Sequence, residues 1–200
     1  MVSVHHDHNR NEKRAITAMV YLSELEVPVG GGEAGGPGGE TFFPCSNCDA
    51  DDPLLKAFEG LLKEGIHIIN APDPHGVDDG DLRSDAVYQQ CVARLHKLRA
   101  RGRGRSDPPG VIRGKGEYPG LLISPRLGRV VVFEHVQGVM GRINSRSKNR
   151  YDRGSSAAAS AFHAPCTIAP GTGQKWTLTS FRVPPSIESD AAPSANKRRR

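Results

Sequence analysis

The chain has 200 residues, enough for one domain with a real core, yet 23 glycines and 15 prolines make many positions poor formers of helix or strand. Hydrophobic content of 36% against 24% charged residues fits a globular protein with long loops and excludes a wholly disordered one. The net charge is +5, of which Lys197-Arg198-Arg199-Arg200 supplies four, so 5 − 4 leaves +1 for the body, too little for a general attraction to polyanions.

The first element in chain order holds His5-His6-Asp7. In an extended segment side chains alternate, so His5 and Asp7 point one way and His6 the other. Two imidazoles and one carboxylate on one face of Fe(II) leave positions open for a chelating co-substrate and dioxygen. His-x-Asp supplies two of those three ligands and needs a distant second histidine. Alone, a start with His5, His6 and His8 reads equally as a tail that binds metal adventitiously. Arg14 to Leu25 is a β-rich apolar run and the next predicted strand. Gly30-Gly31-Gly32 through Gly38-Gly39 is a flexible insert without the Lys-Ser/Thr ending of a phosphate loop, and it leads into a short strand at Gly38-Gly39-Glu40-Thr41-Phe42-Phe43-Pro44.

In the middle, Leu54-Leu55, Phe58 and Leu61-Leu62 fall at helical spacing, as do Val87, Cys91, Leu95 and Leu98 within Ser84 to Arg101. Two amphipathic helices are expected there, joined by acidic and Gly/Pro-rich linkers. The cluster Asp78-Asp79-Gly80-Asp81 lacks the twelve-position pattern of a calcium loop. The basic run from Arg94 to Arg105 is interleaved with glycine rather than aromatics and offers no platform for stacking bases. Cys45-x-x-Cys48 is half of a zinc pattern with no second half at finger spacing, which leaves a disulfide, a pair of thiols or plain packing as alternatives; Cys91 and Cys166 complete the cysteines. Later strands are predicted at Leu121 to Ile123, Arg129 to Val136, Ser160 to Cys166 and Gln174 to Val183. The stretch beyond Pro184 is rich in Ser, Ala and Pro and reads as a disordered tail whose basic end is either a solvated terminus or a nuclear or nucleic-acid contact.

Five blocks, in order, carry a resemblance. They are His5-His6-Asp7 with Arg14 to Leu25, then Gly38 to Pro44, then Pro125-Arg126-Leu127-Gly128-Arg129-Val130-Val131-Val132-Phe133, then His163-Ala164-Pro165-Cys166, and finally Lys175-Trp176. Together they resemble the prolyl 4-hydroxylase family of 2-oxoglutarate- and Fe(II)-dependent dioxygenases, from about His5 to Phe181 with an unmatched middle. The resemblance implies a mainly β fold, a double-stranded β-helix or distorted jelly roll, over residues 1–183, with a variable helical and loop insert at 51–120 and a tail at 184–200. It implies iron ligands at His5, Asp7 and His163. Lys175 would pair with the distal carboxylate of 2-oxoglutarate, and Thr41 would add a hydroxyl hydrogen bond to it; no catalytic residue is implied beyond the metal site. A buried anion needs such a cation and such donors.

The implied reaction is hydroxylation of a peptidyl proline with dioxygen, releasing succinate and carbon dioxide, with ascorbate as the family's reductant. The chain departs from the pattern in two places. His163 and Lys175 stand further apart than in the family, so Pro170-Gly171-Thr172-Gly173 is expected as a longer turn. Only Met1 to Val4 precede the first ligand where the family has core elements, so the fold is expected to be N-terminally incomplete, and a truncated non-catalytic remnant or binding module is the alternative reading. The positive segment Arg142 to Arg153 lies where the family keeps its substrate-side loop and is either an attraction for acidic peptide or a solvated loop. No apolar stretch is long enough for a membrane span and no leader is visible, while the resemblance alone suggests the secretory pathway. Nucleic acid ranks last among the partners.

Overall fold

A computed structural model describes residues 1, 3–7, 14–25, 38–71, 82–102, 104, 107–116, 118–136, 159–168 and 173–182. The glycine-rich insert at 26–37, the acidic cluster at 78–81, the basic loop at 142–153, most of the turn at 169–172 and the tail from 183 lie outside the described residues. Among those described, the protein is mainly β. The elements in order are β1 (Ser3–His5), β2 (Arg14–Tyr21), β3 (Thr41–Phe43), α1 (Pro53–Lys63), β4 (Ile68–Asn70), α2 (Leu82–Arg101), β5 (Val111–Lys115), β6 (Tyr118–Ile123), β7 (Val130–Val136), β8 (Ala164–Pro165) and β9 (Thr177–Arg182).

The strands form three antiparallel sheets, ordered β7-β2-β9, β5-β6-β3-β8 and β1-β4, which do not close into a barrel. A bridge between His5 and His163 ties β1 to the chain entering β8, so the two-stranded sheet extends the four-stranded one. Period-two alternation divides the work of each strand. On one face of the four-stranded sheet, Phe42, Leu122 and Ala164 join Val4 of β1 and pack against Leu54, Phe58 and Leu98 of the helices, forming the larger core. On the other face, Phe43 and Ile123 meet Tyr21 and Val131 of the three-stranded sheet in a smaller core. The molecule is therefore layered as sheet, sheet and helices.

Local chemistry explains both helices. Asp52 caps α1, its Oδ1 accepting from the backbone N–H of Leu54 (2.9 Å) and Leu55 (3.2 Å), with Pro53 preset for the first turn. The helix stops at Gly65, whose φ of +78° suits glycine and lets the Ile66 N–H return to the Leu61 carbonyl at 2.9 Å. Leu54, Leu55, Phe58 and Leu61 are buried, as the helical spacing requires, and so are Val87, Cys91, Leu95 and Leu98 of α2.

Two expectations change. The strand predicted from Ser160 to Cys166 shrinks to Ala164–Pro165, because Ala159 and Ser160 lie in a helical turn and strand pairing begins only at His163. Alanine is a strong helix former, and among the described residues the segment has no partner strand before that point. The middle, read as helices and linkers, also contains β4 and β5, which pair with β1 and β6. No helix among the described residues is long and apolar enough to cross a membrane.

Candidate metal and anion site

His5 and His163 are brought together by backbone pairing. Each donates its N–H to the other's carbonyl at 2.8 Å, making them a directly opposed antiparallel pair whose side chains share one face. Their rings stand 4.3 Å apart, centroid to centroid. Asp7 lies two residues beyond His5 on the same side, so its Oδ1 is 3.6 Å from His5 Nε2 and 3.8 Å from His163 Nε2. His6 points the other way and is buried against Phe162 and His67. The alternation read from His-x-Asp holds, and the three donor atoms lie within 4.8 Å of one another.

The donor set is chemically suited to a divalent iron. The carboxylate-to-imidazole separations of 3.6 and 3.8 Å are wider than those of atoms sharing one ion. Neighbouring groups orient the ligands. The Nδ1 of His163 is 3.0 Å from the Ala161 carbonyl, and donation there leaves Nε2 with its lone pair toward Asp7. The Thr17 hydroxyl donates to Asp7 Oδ2 at 3.1 Å, which turns Oδ1 toward the imidazoles. Phe43 and Phe133 flank the His163 ring at 5.4 and 4.8 Å and supply apolar walls.

A second group lies along the same face. Thr41 of β3 pairs with Pro165, two residues past His163. Two residues along a strand advance roughly 7 Å, the scale of a five-carbon diacid. The Thr41 Oγ1 lies 2.6 Å from Tyr21 Oη and accepts from Lys175 Nζ at 3.5 Å, while the same ammonium stands 5.2 Å from the centre of the Tyr21 ring. Burial pushes the Tyr21 phenol up to about 12, so it remains a neutral hydrogen-bonding hydroxyl at ordinary pH. Burial likewise lowers the Lys175 ammonium below its usual range, against the raising influence of Cys166 and Glu40. An ammonium, a hydroxyl and a phenol thus converge on a partly buried spot suited to a carboxylate.

All five candidate residues read from the sequence fall into these two groups: His5, Asp7 and His163 in one, Thr41 and Lys175 in the other. Tyr21 and Thr17 were missed. Both sit in the run Arg14 to Leu25, and period two from Thr17 through Met19 to Tyr21 places them on the face that carries the site. No protein-family model matches the chain, and neither the curated proteins nor the solved structures contain a significant match to it.

Proposed function

We propose that the chain is an Fe(II)- and 2-oxoglutarate-dependent dioxygenase of the prolyl 4-hydroxylase type, built on a distorted jelly roll. The observation that carries the reading is the convergence of His5, Asp7 and His163 beside Thr41, Tyr21 and Lys175, in the space between two antiparallel sheets. Iron with 2-oxoglutarate would supply the oxidative decarboxylation that releases succinate and carbon dioxide and hydroxylates an unactivated C–H bond.

The chain's own part is coordination, anchoring and exclusion of water. His5 Nε2, Asp7 Oδ1 and His163 Nε2 hold the ion, with Thr17 and the Ala161 carbonyl keeping the carboxylate and imidazole in their orientations. Lys175 neutralises the distal carboxylate, and Thr41 and Tyr21 complete its hydrogen bonds. Phe43 and Phe133 keep the neighbourhood of His163 dry. A peptidyl proline is the proposed substrate, on the strength of the sequence resemblance.

An anaerobic titration with Fe(II) and 2-oxoglutarate tests the reading through the visible charge-transfer band of the chelate. The wild-type chain develops the band and His163→Ala does not. Lys175→Met weakens 2-oxoglutarate binding by about 10–100-fold, the worth of a charge-assisted hydrogen bond. Folded wild-type protein without a band overturns the assignment. Hydroxylation of proline-containing peptides, with succinate formed in step, then tests the substrate.

A further inference from the structure

We propose that Cys45 and Cys48 form a redox-active dithiol that exchanges with small disulfides, Cys48 attacking first and Cys45 resolving the mixed disulfide. The pair lies in the turn between β3 and α1, away from the His5, Asp7 and His163 cluster, and does not depend on the function proposed above. All four cysteines are free thiols. The Cys45 and Cys48 sulfurs lie within 4.8 Å of one another, close enough for a short-range disulfide to form with a modest change of side-chain angle.

Arg94 of α2 organises the cluster. Its Nη1 donates to the Pro44 carbonyl at 3.0 Å, to Cys48 Sγ at 3.0 Å and to Cys45 Sγ at 3.6 Å, while Nη2 reaches both carboxylate oxygens of Asp52 at 3.2 and 3.0 Å. The two sulfurs and Asp52 are, by residue type, a possible metal set. The guanidinium argues against that use, because a fixed cation already sits among the donors and repels a second. It also favours exchange, since the negative charge that passes across the sulfurs during thiol–disulfide exchange has a hydrogen-bonding cation beside it.

The order of attack follows from exposure. Cys48 is half-buried and within reach of a small reagent, whereas Cys45 is 1% exposed. Burial pushes the Cys45 thiol far up, which suits a sulfur that waits for an internal partner. Cys91 and Cys166, both buried and pushed up to about 12 and about 11, serve as internal references.

The chemistry balances with a low-molecular-weight disulfide such as glutathione disulfide as oxidant. The Cys48 thiolate attacks one of its sulfurs and releases one thiolate. Cys45 then loses its proton to solvent and attacks Cys48 Sγ, and the second thiolate leaves. The protein loses two hydrogens and the reagent becomes two thiols.

The test is incubation of the reduced, folded chain with glutathione disulfide, followed by alkylation and peptide mapping. The wild type gains a Cys45–Cys48 disulfide while Cys91 and Cys166 stay reduced. Cys45→Ser stops at a glutathione adduct on Cys48, and Cys48→Ser forms neither disulfide nor adduct at a comparable rate. Arg94→Met slows disulfide formation by about tenfold. Four reduced cysteines in the folded wild type, together with reaction in denaturant, overturn the proposal. So does a disulfide from Cys48 to Cys91. A parallel titration with zinc is expected to show no stoichiometric binding to the His5→Ala/His163→Ala chain; tight zinc binding that protects Cys48 from alkylation would make this a metal site instead.

Discussion

Lys175 is held where its charge is disfavoured, and that conflict can be measured. Burial lowers its ammonium below the ordinary 10.5, so the folded state bears a desolvation penalty while the group is charged in both folded and unfolded chains. The penalty is fully present below the depressed folded value and fades as pH rises from there toward 10.5, where the unfolded chain also loses the charge. Lys175→Met should therefore raise the melting temperature of the ligand-free protein by about 1–3 °C near pH 7. Thermal scans in a pH series should show this advantage shrinking toward pH 10.5. On the proposed function the same substitution should weaken 2-oxoglutarate binding, so the residue would trade stability for anion recognition. Thr17 offers the complementary case, since Thr17→Val keeps the shape but frees Asp7 Oδ2 to rotate, and it should lower iron affinity by about tenfold while leaving the fold intact.

At the scale of elements, α1 depends on a single side chain at its start. Asp52 caps the helix and also holds Arg94 of α2, so one carboxylate joins the two helices. Burial pushes its pKa up, yet the Leu55 N–H and Arg94 outweigh that and hold the carboxyl below its usual 3.8. A depressed carboxyl contributes stability above its unfolded value and loses it as pH falls through the folded one. Asp52→Ala should cost about 2–4 kcal/mol in urea unfolding at pH 7, from the lost cap and the stranded guanidinium. Asp52→Asn keeps the cap and should cost less, and its deficit should vanish well below pH 3.8. Both helices were legible in the sequence because Leu54, Phe58 and Leu61, like Val87, Cys91, Leu95 and Leu98, repeat with the helical period. Strand β4 was not, because three residues carry too little alternation, and β5 follows a run of Gly and Pro that masks its start. The helical turn at Ala159 and Ser160 was hidden by an alanine-rich stretch that tertiary pairing divides at His163.

At the scale of the whole molecule, the outer face of the β7-β2-β9 sheet is unusually apolar. Val130, Val132 and Leu178 are all more than half exposed, with Leu22 and Trp176 beside them. Such a face favours self-association. Val132→Lys with Leu178→Lys should reduce concentration-dependent scattering without altering the charge-transfer titration, because those side chains point away from Thr17 and Tyr21. The grouping of the candidate residues was legible where ordered blocks of residue types carried it, at His5, Asp7, Thr41, His163 and Lys175. Tyr21 and Thr17 escaped because tyrosine and threonine are ordinary strand residues, and only the three-dimensional pairing shows what they face. That pairing has a kinetic consequence. The two histidines are far apart in the chain and meet through reciprocal backbone hydrogen bonds, so a long loop must close before the donor set exists. Metal chelation should thus act as a clock for the end of folding. In stopped-flow refolding, helical circular dichroism should recover first, and the iron chelate's colour should follow only with the slowest phase.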